Sequence, residues 1–433
     1  MNLDLTNALW VEPGHALHGT ICLIAIRDGR VASILAMGDK NNPAKLDDVG
    51  PWDVQGACVS NGWWDVQAEL RDPGFETAES IASGLDAAAQ GGFTRIAPSP
   101  RTTPVVDGKS AIEFLRRRAE HHIVGVLPLG CVSAGAKGTA LAELYDLREA
   151  GAVGFSDDAP LDHPELLRRA LEYVAPTGGV IYAQPIENRF QSAGVVHEGT
   201  VSTALGLAGI PVEQETLRLQ RDLAIAQYTG GRLHIPVVSS AAGLKMIRDA
   251  KDAGIKVTCA TAPHHLCFDH SSISDFDARF KTQPPLRELT DRDALIDGLL
   301  DGTIDMICSD HRPRNAEEHE TDFLLVRPGI AGIHATGNAL IGLLNGHRLE
   351  GLPCAEVLHR VFVEGPRALL TDAPKDDRVE LTVFEPAGPC SMPRSASKAA
   401  NTLYDSFTPE KQALLGGRIL GVITPGGLHR NFD

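Results

Sequence analysis

The sequence predicts an α/β protein built on a (β/α)8 TIM-type barrel, and three observations carry that prediction. Apolar strand candidates alternate with helical patterns from about residue 61 to about residue 370. Roughly eight strand-then-helix units fit in that stretch, the number a closed parallel barrel needs. Both chain ends read instead as short strands joined by turns, so β structure flanks the central region.

Each element has its own signal. ICLIAIRDGRVASIL (21–35) is two apolar strands around Asp28-Gly29, a hairpin turn pair. Strand candidates follow at 93–99, 122–130, 152–158, 179–185, 231–240, 256–263 and 304–310. Helical patterns lie between them. Residues 77–92 place Glu79 in a first turn and stop at Gly91-Gly92, and 164–179 and 240–255 share the design. VELTVFEP (379–386) and GGRILGVITPGG (416–427) return to strand texture. An open doubly wound sheet is the alternative, but no Gly-rich phosphate loop follows the first strand. Several strand candidates end in polar residues: Asp157, Asp158, Gln184, Ser239, Ser240, Asp310 and His311. Turn chemistry explains any one of them. As a set they mark the site-bearing face of a barrel.

Composition narrows the function. The 433 residues suffice for one large domain and one small one. A formal net charge of −16 argues against nucleic-acid or anionic-membrane partners, since both reward basic patches. There is no apolar run of membrane-spanning length, and the opening MNLDLTNALWVEPG lacks the features of a signal peptide. The eight cysteines are scattered with no CxxC pair, which predicts reduced thiols and a cytoplasmic chain.

The chemistry-bearing motifs come in order. GWWDVQAELRDPGFETAESIASGLDAAAQGGFT (62–94) resembles the opening of dihydroorotases and related cyclic amidohydrolases: Asp-x-His-x-His, Leu-Arg-Glu-Pro-Gly, then a helix running into Ala-Gly-Gly. GAVGFSDDAP (151–160), TAPHHL (261–266), KTQPPLR (281–287), DGTIDMICSDH (301–311) and NTL (401–403) continue the resemblance over essentially the whole chain. It implies a distorted barrel (61–370) and a small β domain made from both ends (1–60 and 371–433). It also implies two divalent metals, usually zinc, that activate a hydroxide against a cyclic amide, with a carboxylate on the last strand as proton shuttle.

The departures fall on that chemistry. The resemblance places the metal-ligating histidines on Gln67, Glu69, Gln184 and Val237, although His234 lies nearby. An aspartate ligand remains in Asp157 or Asp158, and Asp310 matches the proton shuttle. Arg71 matches the arginine that holds a substrate carboxylate. The substrate-binding asparagines fall on Arg101 and Gln283, and a final histidine falls on Arg314. Gln offers zinc a poor oxygen and Val offers none. Glu69, Asp158 and Asp310 remain candidates for an all-oxygen site for magnesium or manganese. Removing two dications would also crowd these acids, and Arg71, Arg101, Arg312 and Arg314 are candidates to offset them. For Arg312 and Arg314 the first reading is nevertheless that of solvated loop residues. His264, His265, His311 and His334 read as structural hydrogen-bonders, with the first two on opposite faces of a strand.

Three functions are compatible with these residues. The first is a non-catalytic dihydroorotase-like subunit without a cofactor. Resemblance to inactive chains of this kind implies an oligomeric partner of aspartate carbamoyltransferase in pyrimidine biosynthesis. The second is an active dihydroorotase, or an enzyme acting on a hydantoin or allantoin, with zinc or an atypical metal site. The third is a small-molecule binding protein that keeps the pocket.

Overall fold

The structure, a computed structural model, describes residues 1–38, 51–190, 194–346, 353–374 and 377–432. Of the polar segment 191–200, residues 191–193 lie outside the described residues.

Among the described residues the barrel has eight parallel strands. They are Trp63–Ala68, Phe93–Pro98, a third strand in two pieces (Gly125–Val126 and Leu129–Gly130), Gly154–Phe155, Val180–Tyr182, Arg232–Ile235, Val257–Thr261 and Met306–Ile307. Each pairs in parallel with the next. The ring closes where Ala68 bridges His311 in parallel and the Glu69 N–H donates to the His311 carbonyl at 2.7 Å. That closure excludes the open sheet. Register shifts at Trp63/Trp64 and between Asp65 and Ala68 distort the first strand just before the residues of interest.

The strands are shorter than the apolar runs suggest, because each run also includes the loop that follows. Asp157, Asp158, Gln184, Ser239, Ser240 and Asp310 all lie just past a C-terminal strand end. The helices are shorter too. Ile81–Gln90 starts at Ser80, whose hydroxyl accepts from the Ser83 N–H at 3.2 Å, so Glu79 precedes the helix instead of sitting in its first turn. Pro164–Val174 buries Leu167, Ala170, Leu171 and Val174, the apolar stripe of an outer barrel helix. His264 and His265 sit on the short helix Pro263–Cys267, not on a strand, because Pro263 starts a helical turn after the seventh strand.

The β domain draws on both chain ends. Leu3–Val11, Ile21–Arg27, Arg30–Ala36, Trp52–Asp53 and Cys58–Asn61 share one sheet with Leu381–Pro389, Gly416–Thr424 and Gly427–Arg430. The Asp28-Gly29 turn forms as expected, with φ of 52° and 72°, the paired positive values of a type I′ hairpin. Trp63 joins the two layers. It opens the first barrel strand, is fully buried, stacks on Phe362 at 4.9 Å and meets Phe384 of the sheet at 5.0 Å. No helix among the described residues is long and apolar enough to cross a membrane.

Burial of that indole at the junction sets a testable cost. Trp63→Ala should destabilise the protein by about 3–5 kcal/mol, read as a lowered urea midpoint. An unchanged midpoint would mean the barrel and sheet are not held together there.

Candidate functional site

The first barrel strand delivers its polar residues to the barrel mouth. Asp65 is fully buried and accepts from the Ser309 N–H at 2.9 Å and from the Ser309 hydroxyl, so it ties the first strand to the loop after the eighth. Two residues on, the Gln67 amide donates to Asp310 Oδ1 at 3.3 Å. Glu69, just past the strand, is buried and faces two guanidiniums.

Arg312 occupies the centre of the mouth. Its Nε donates to Asp310 at 2.8 Å, Nη1 to Glu69 at 2.8 Å and Nη2 to Asp158 at 3.0 Å. Arg314 Nη1 reaches the other Glu69 oxygen at 2.8 Å. Asp158 also accepts from the Gln184 amide at 2.9 Å and the Ser99 hydroxyl at 2.7 Å. The loop bearing both arginines is clamped by Asn401. Its amide nitrogen donates to the Arg312 and Gly329 carbonyls, each at 2.9 Å, and its oxygen accepts from the Arg314 N–H at 2.9 Å. Three residues here, Arg71, Asp158 and Asp310, hold positive φ (59°, 44° and 44°) without being glycine. Such strained backbone persists only where the surroundings fix it.

Gln67, Glu69, Asp158, Gln184 and Asp310 therefore do come together, and Arg312 and Arg314 are not solvated loop residues. Arg71 is buried beside the cluster, 3.5 Å from Glu69 and 3.5 Å from Glu318, with Nε and Nη2 lacking a hydrogen-bond partner. Arg101 does not offset the acids through a carboxylate; it donates to the Asp158 backbone carbonyl at 3.3 Å. With Gln184, Asn188, Gln283 and Arg314 it lines a cavity of about 320 Å³ over the cluster. Val237 stays apart, packed among Tyr182, Ala260, Met306 and Cys308 inside the barrel. His234 stays apart too, with Nδ1 at 2.9 Å from the Thr258 hydroxyl. Asp157 points away and binds Ser133, so Asp158 is the aspartate of the site. His311 and His334 keep their structural partners, Glu79 at 3.4 Å and Asp405 at 3.1 Å. His264 and His265 are buried with Nε2 unpartnered, so the expected hydrogen bonds from those atoms are missing; His264 Nε2 lies 3.9 Å from Asp310. Sequence reasoning missed the roles of Asp65, Ser99 and Asn401, although Asp65 and Asn401 lie in the quoted motifs and Ser99 ends the strand candidate 93–99.

Burial and charge pull the carboxylates apart. Burial favours the neutral form of Glu69, but Arg314, Arg312 and Arg71 outweigh it and hold that carboxyl down at about 2. Asp310 is pushed up to about 6 by burial, which Arg312 only partly offsets while Asp158 and Glu69 add to the rise. Burial also pushes Asp65 up to about 6 against its bonds from Ser309.

These residues do not fit the dinuclear metal centre that the resemblance implies. A guanidinium already binds all three carboxylates, and its positive charge stands where a dication would have to be. The remaining ligand positions offer two amides and an alkyl group. No metal-dependent step follows from this arrangement.

Comparison with known proteins agrees on the family. A family profile described as Dihydro-orotase-like matches residues 56–242. A protein named dihydroorotase from Syntrophus aciditrophicus is 39% identical over 436 residues, covering 98% of both chains. Another so named, from Pelotomaculum thermopropionicum, is 39% identical over 359 residues, 81% of this chain and 83% of its own. The chain belongs to the dihydroorotase-like family of amidohydrolases. The fold is also that of an L-hydantoinase (dihydropyrimidinase) from Arthrobacter aurescens, with a TM-score of 0.83 at 21% identity over 100% of this chain and 97% of that one. A D-hydantoinase (dihydropyrimidinase) from Thermus sp. superposes with a TM-score of 0.78 at 18% identity, over 99% and 95%.

Two outcomes test the cluster. Arg312→Met keeps most of the side-chain volume but leaves three buried acids short of a partner, and should cost about 3–5 kcal/mol by urea denaturation. A loss under about 1 kcal/mol would mean the acids are hydrated instead. The pH dependence has two opposed parts. Asp310 titrates higher folded than its ordinary 3.8, so stability should rise as pH falls from above 6 toward 4, and Asp310→Asn should shrink that rise. Glu69 titrates lower folded than its ordinary 4.5, so its stabilisation, present above 4.5, should be lost as pH falls toward 2. A urea midpoint that falls steadily from pH 7 to pH 4 would contradict the first part.

Proposed function

We propose that this chain is a non-catalytic dihydroorotase-like subunit of pyrimidine biosynthesis, a structural or regulatory partner of aspartate carbamoyltransferase. The observation that carries the non-catalytic part is Arg312, bonded at 2.8–3.0 Å to Glu69, Asp158 and Asp310. An amidohydrolase needs a hydroxide at neutral pH, and only a strongly bound metal lowers the pKa of water that far. Here the carboxylates left to hold a metal are neutralised by the chain itself. The partner assignment rests on the resemblance of the ligand-replaced motifs to inactive dihydroorotase-like chains.

A second reading has its own support. The relatives at 39% identity carry the name dihydroorotase, and that name favours an active enzyme acting on dihydroorotate; zinc as its metal rests on the motif resemblance alone. It requires Arg312 to leave the three acids and Glu69, Asp158 and Asp310 to hold a metal without histidine.

The deciding assay is hydrolysis of dihydroorotate by the purified chain, alone and with excess zinc or manganese, at mildly acidic and alkaline pH. The expected result is no turnover above background, with aspartate carbamoyltransferase retained in a pull-down. Metal-dependent turnover that disappears in Asp310→Asn would establish the enzyme instead. Absence of the carbamoyltransferase from the pull-down would remove the partner.

A further inference from the structure

A second group of metal-ligating side chains converges away from Arg312. Between the fifth and sixth barrel strands the chain makes an excursion that includes the short strand Val196–His197, paired in parallel with Gly209–Ile210. His270 opens the turn His270–Ile273, beyond the seventh barrel strand, and Glu288 immediately precedes the helix Leu289–Leu300. One donor atom from each of His197, His270 and Glu288 lies within 4.8 Å of the other two. His197 Nε2 is 3.9 Å from Glu288 Oε1.

Three details make this more than proximity. His270 Nδ1 is buried and has no hydrogen-bond partner, an unsatisfied nitrogen that a ligand would relieve. Gly199 faces the same spot: a Cβ there would lie 3.3 Å from Glu288 Oε1 and 3.5 Å from His270 Nδ1, so both atoms border a small space that only glycine leaves open. The buried His197 ring aims Nε2 at Glu288. Metal binding there uses the tautomer with the proton on Nδ1, which leaves the Nε2 lone pair free. Arg287 Nη1 is 3.2 Å from His197 Nδ1 and competes for this tautomer. It keeps the Ile210 carbonyl at 3.0 Å, and its Nε keeps the Ser239 hydroxyl at 3.1 Å, when the ring turns to the metal-binding form.

We propose that His197, His270 and Glu288 form a site for one divalent transition-metal ion of the zinc class, with a fourth position open to water. Two imidazole nitrogens and one carboxylate suit that class better than the hard cations, which favour all-oxygen sets. The half-exposed Glu288 carboxylate can close the remaining distance. A bound ion ties the excursion after the fifth strand to the segments after the seventh. The site shares no residue with the Arg312 cluster and stands whether or not the chain is catalytic.

Cobalt(II) titration of the metal-free full-length chain, followed by visible absorption, tests it. The expected result is one equivalent bound with the intense band of four-coordinate cobalt, displaced by zinc. His270→Gln and Glu288→Gln should each weaken binding by at least about 10-fold, since losing even an outer-shell partner of a metal ligand costs that much. These two are less buried than His197, so they keep the test decisive if His197→Ala fails to fold. Asp310→Asn should leave the titration unchanged. No band with the unmodified chain, or a band that survives His270→Gln and Glu288→Gln, would overturn the proposal. Loss of the band in Asp310→Asn alone would place the metal at the barrel mouth and overturn it as well.

Discussion

Arg312 bonded to three buried carboxylates is the interaction on which the barrel mouth depends. Glu69, Asp158 and Asp310 come from the ends of the first, fourth and eighth strands, and without a cation they would repel one another in a poorly solvated space. One guanidinium spreads three nitrogens over a planar fork and gives a separate one to each acid, where a lysine would have to draw all three onto a single nitrogen. Arg314 takes the second oxygen of Glu69, and Arg71 lies just beyond. Three guanidiniums thus face three acids above the apolar barrel interior. The arrangement is a route to specificity of strand placement more than to net stability, because burying charges costs nearly what pairing them returns.

Much of the fold was legible because its signals are local. The Asp28-Gly29 hairpin needs two positive φ values, and that residue pair supplies them. The buried stripe of Pro164–Val174 repeats with helical spacing in the sequence itself. Strand lengths were less legible. A run such as 231–240 reads as one long strand, yet the strand proper is only Arg232–Ile235, because Pro236 ends it and Val237 and Val238 are buried by packing beyond it. His264 and His265 were misplaced on a strand for the same reason: apolar, β-prone neighbours hide the helical turn that Pro263 begins.

The candidate site was legible by residue identity and illegible in its pairing. Replacement of histidine by Gln67, Glu69 and Gln184 could be read from the motifs, and so could an excess of arginine nearby. Which arginine enters the mouth depends on loop geometry. Arg312 and Arg101 are both arginines in polar loops, yet one binds three carboxylates and the other only a backbone carbonyl. The difference lies in Asn401, whose side chain fixes the backbone on either side of Pro313. The resemblance marked Asn401 only as part of a C-terminal motif, because a contact over so long a stretch of chain leaves no trace in local pattern.

That clamp makes the barrel mouth depend on the far end of the chain. Asn401 lies 89 residues after the Arg312 carbonyl it holds. Every barrel strand precedes that residue in the chain, so the ring of strands is encoded before the side chain that fixes its mouth. A chain cut short of Asn401 would keep all eight strands and all three acids but lose the bonds that hold Arg312 and Arg314 over them. The C-terminal segment is thus part of the barrel mouth as much as of the β domain.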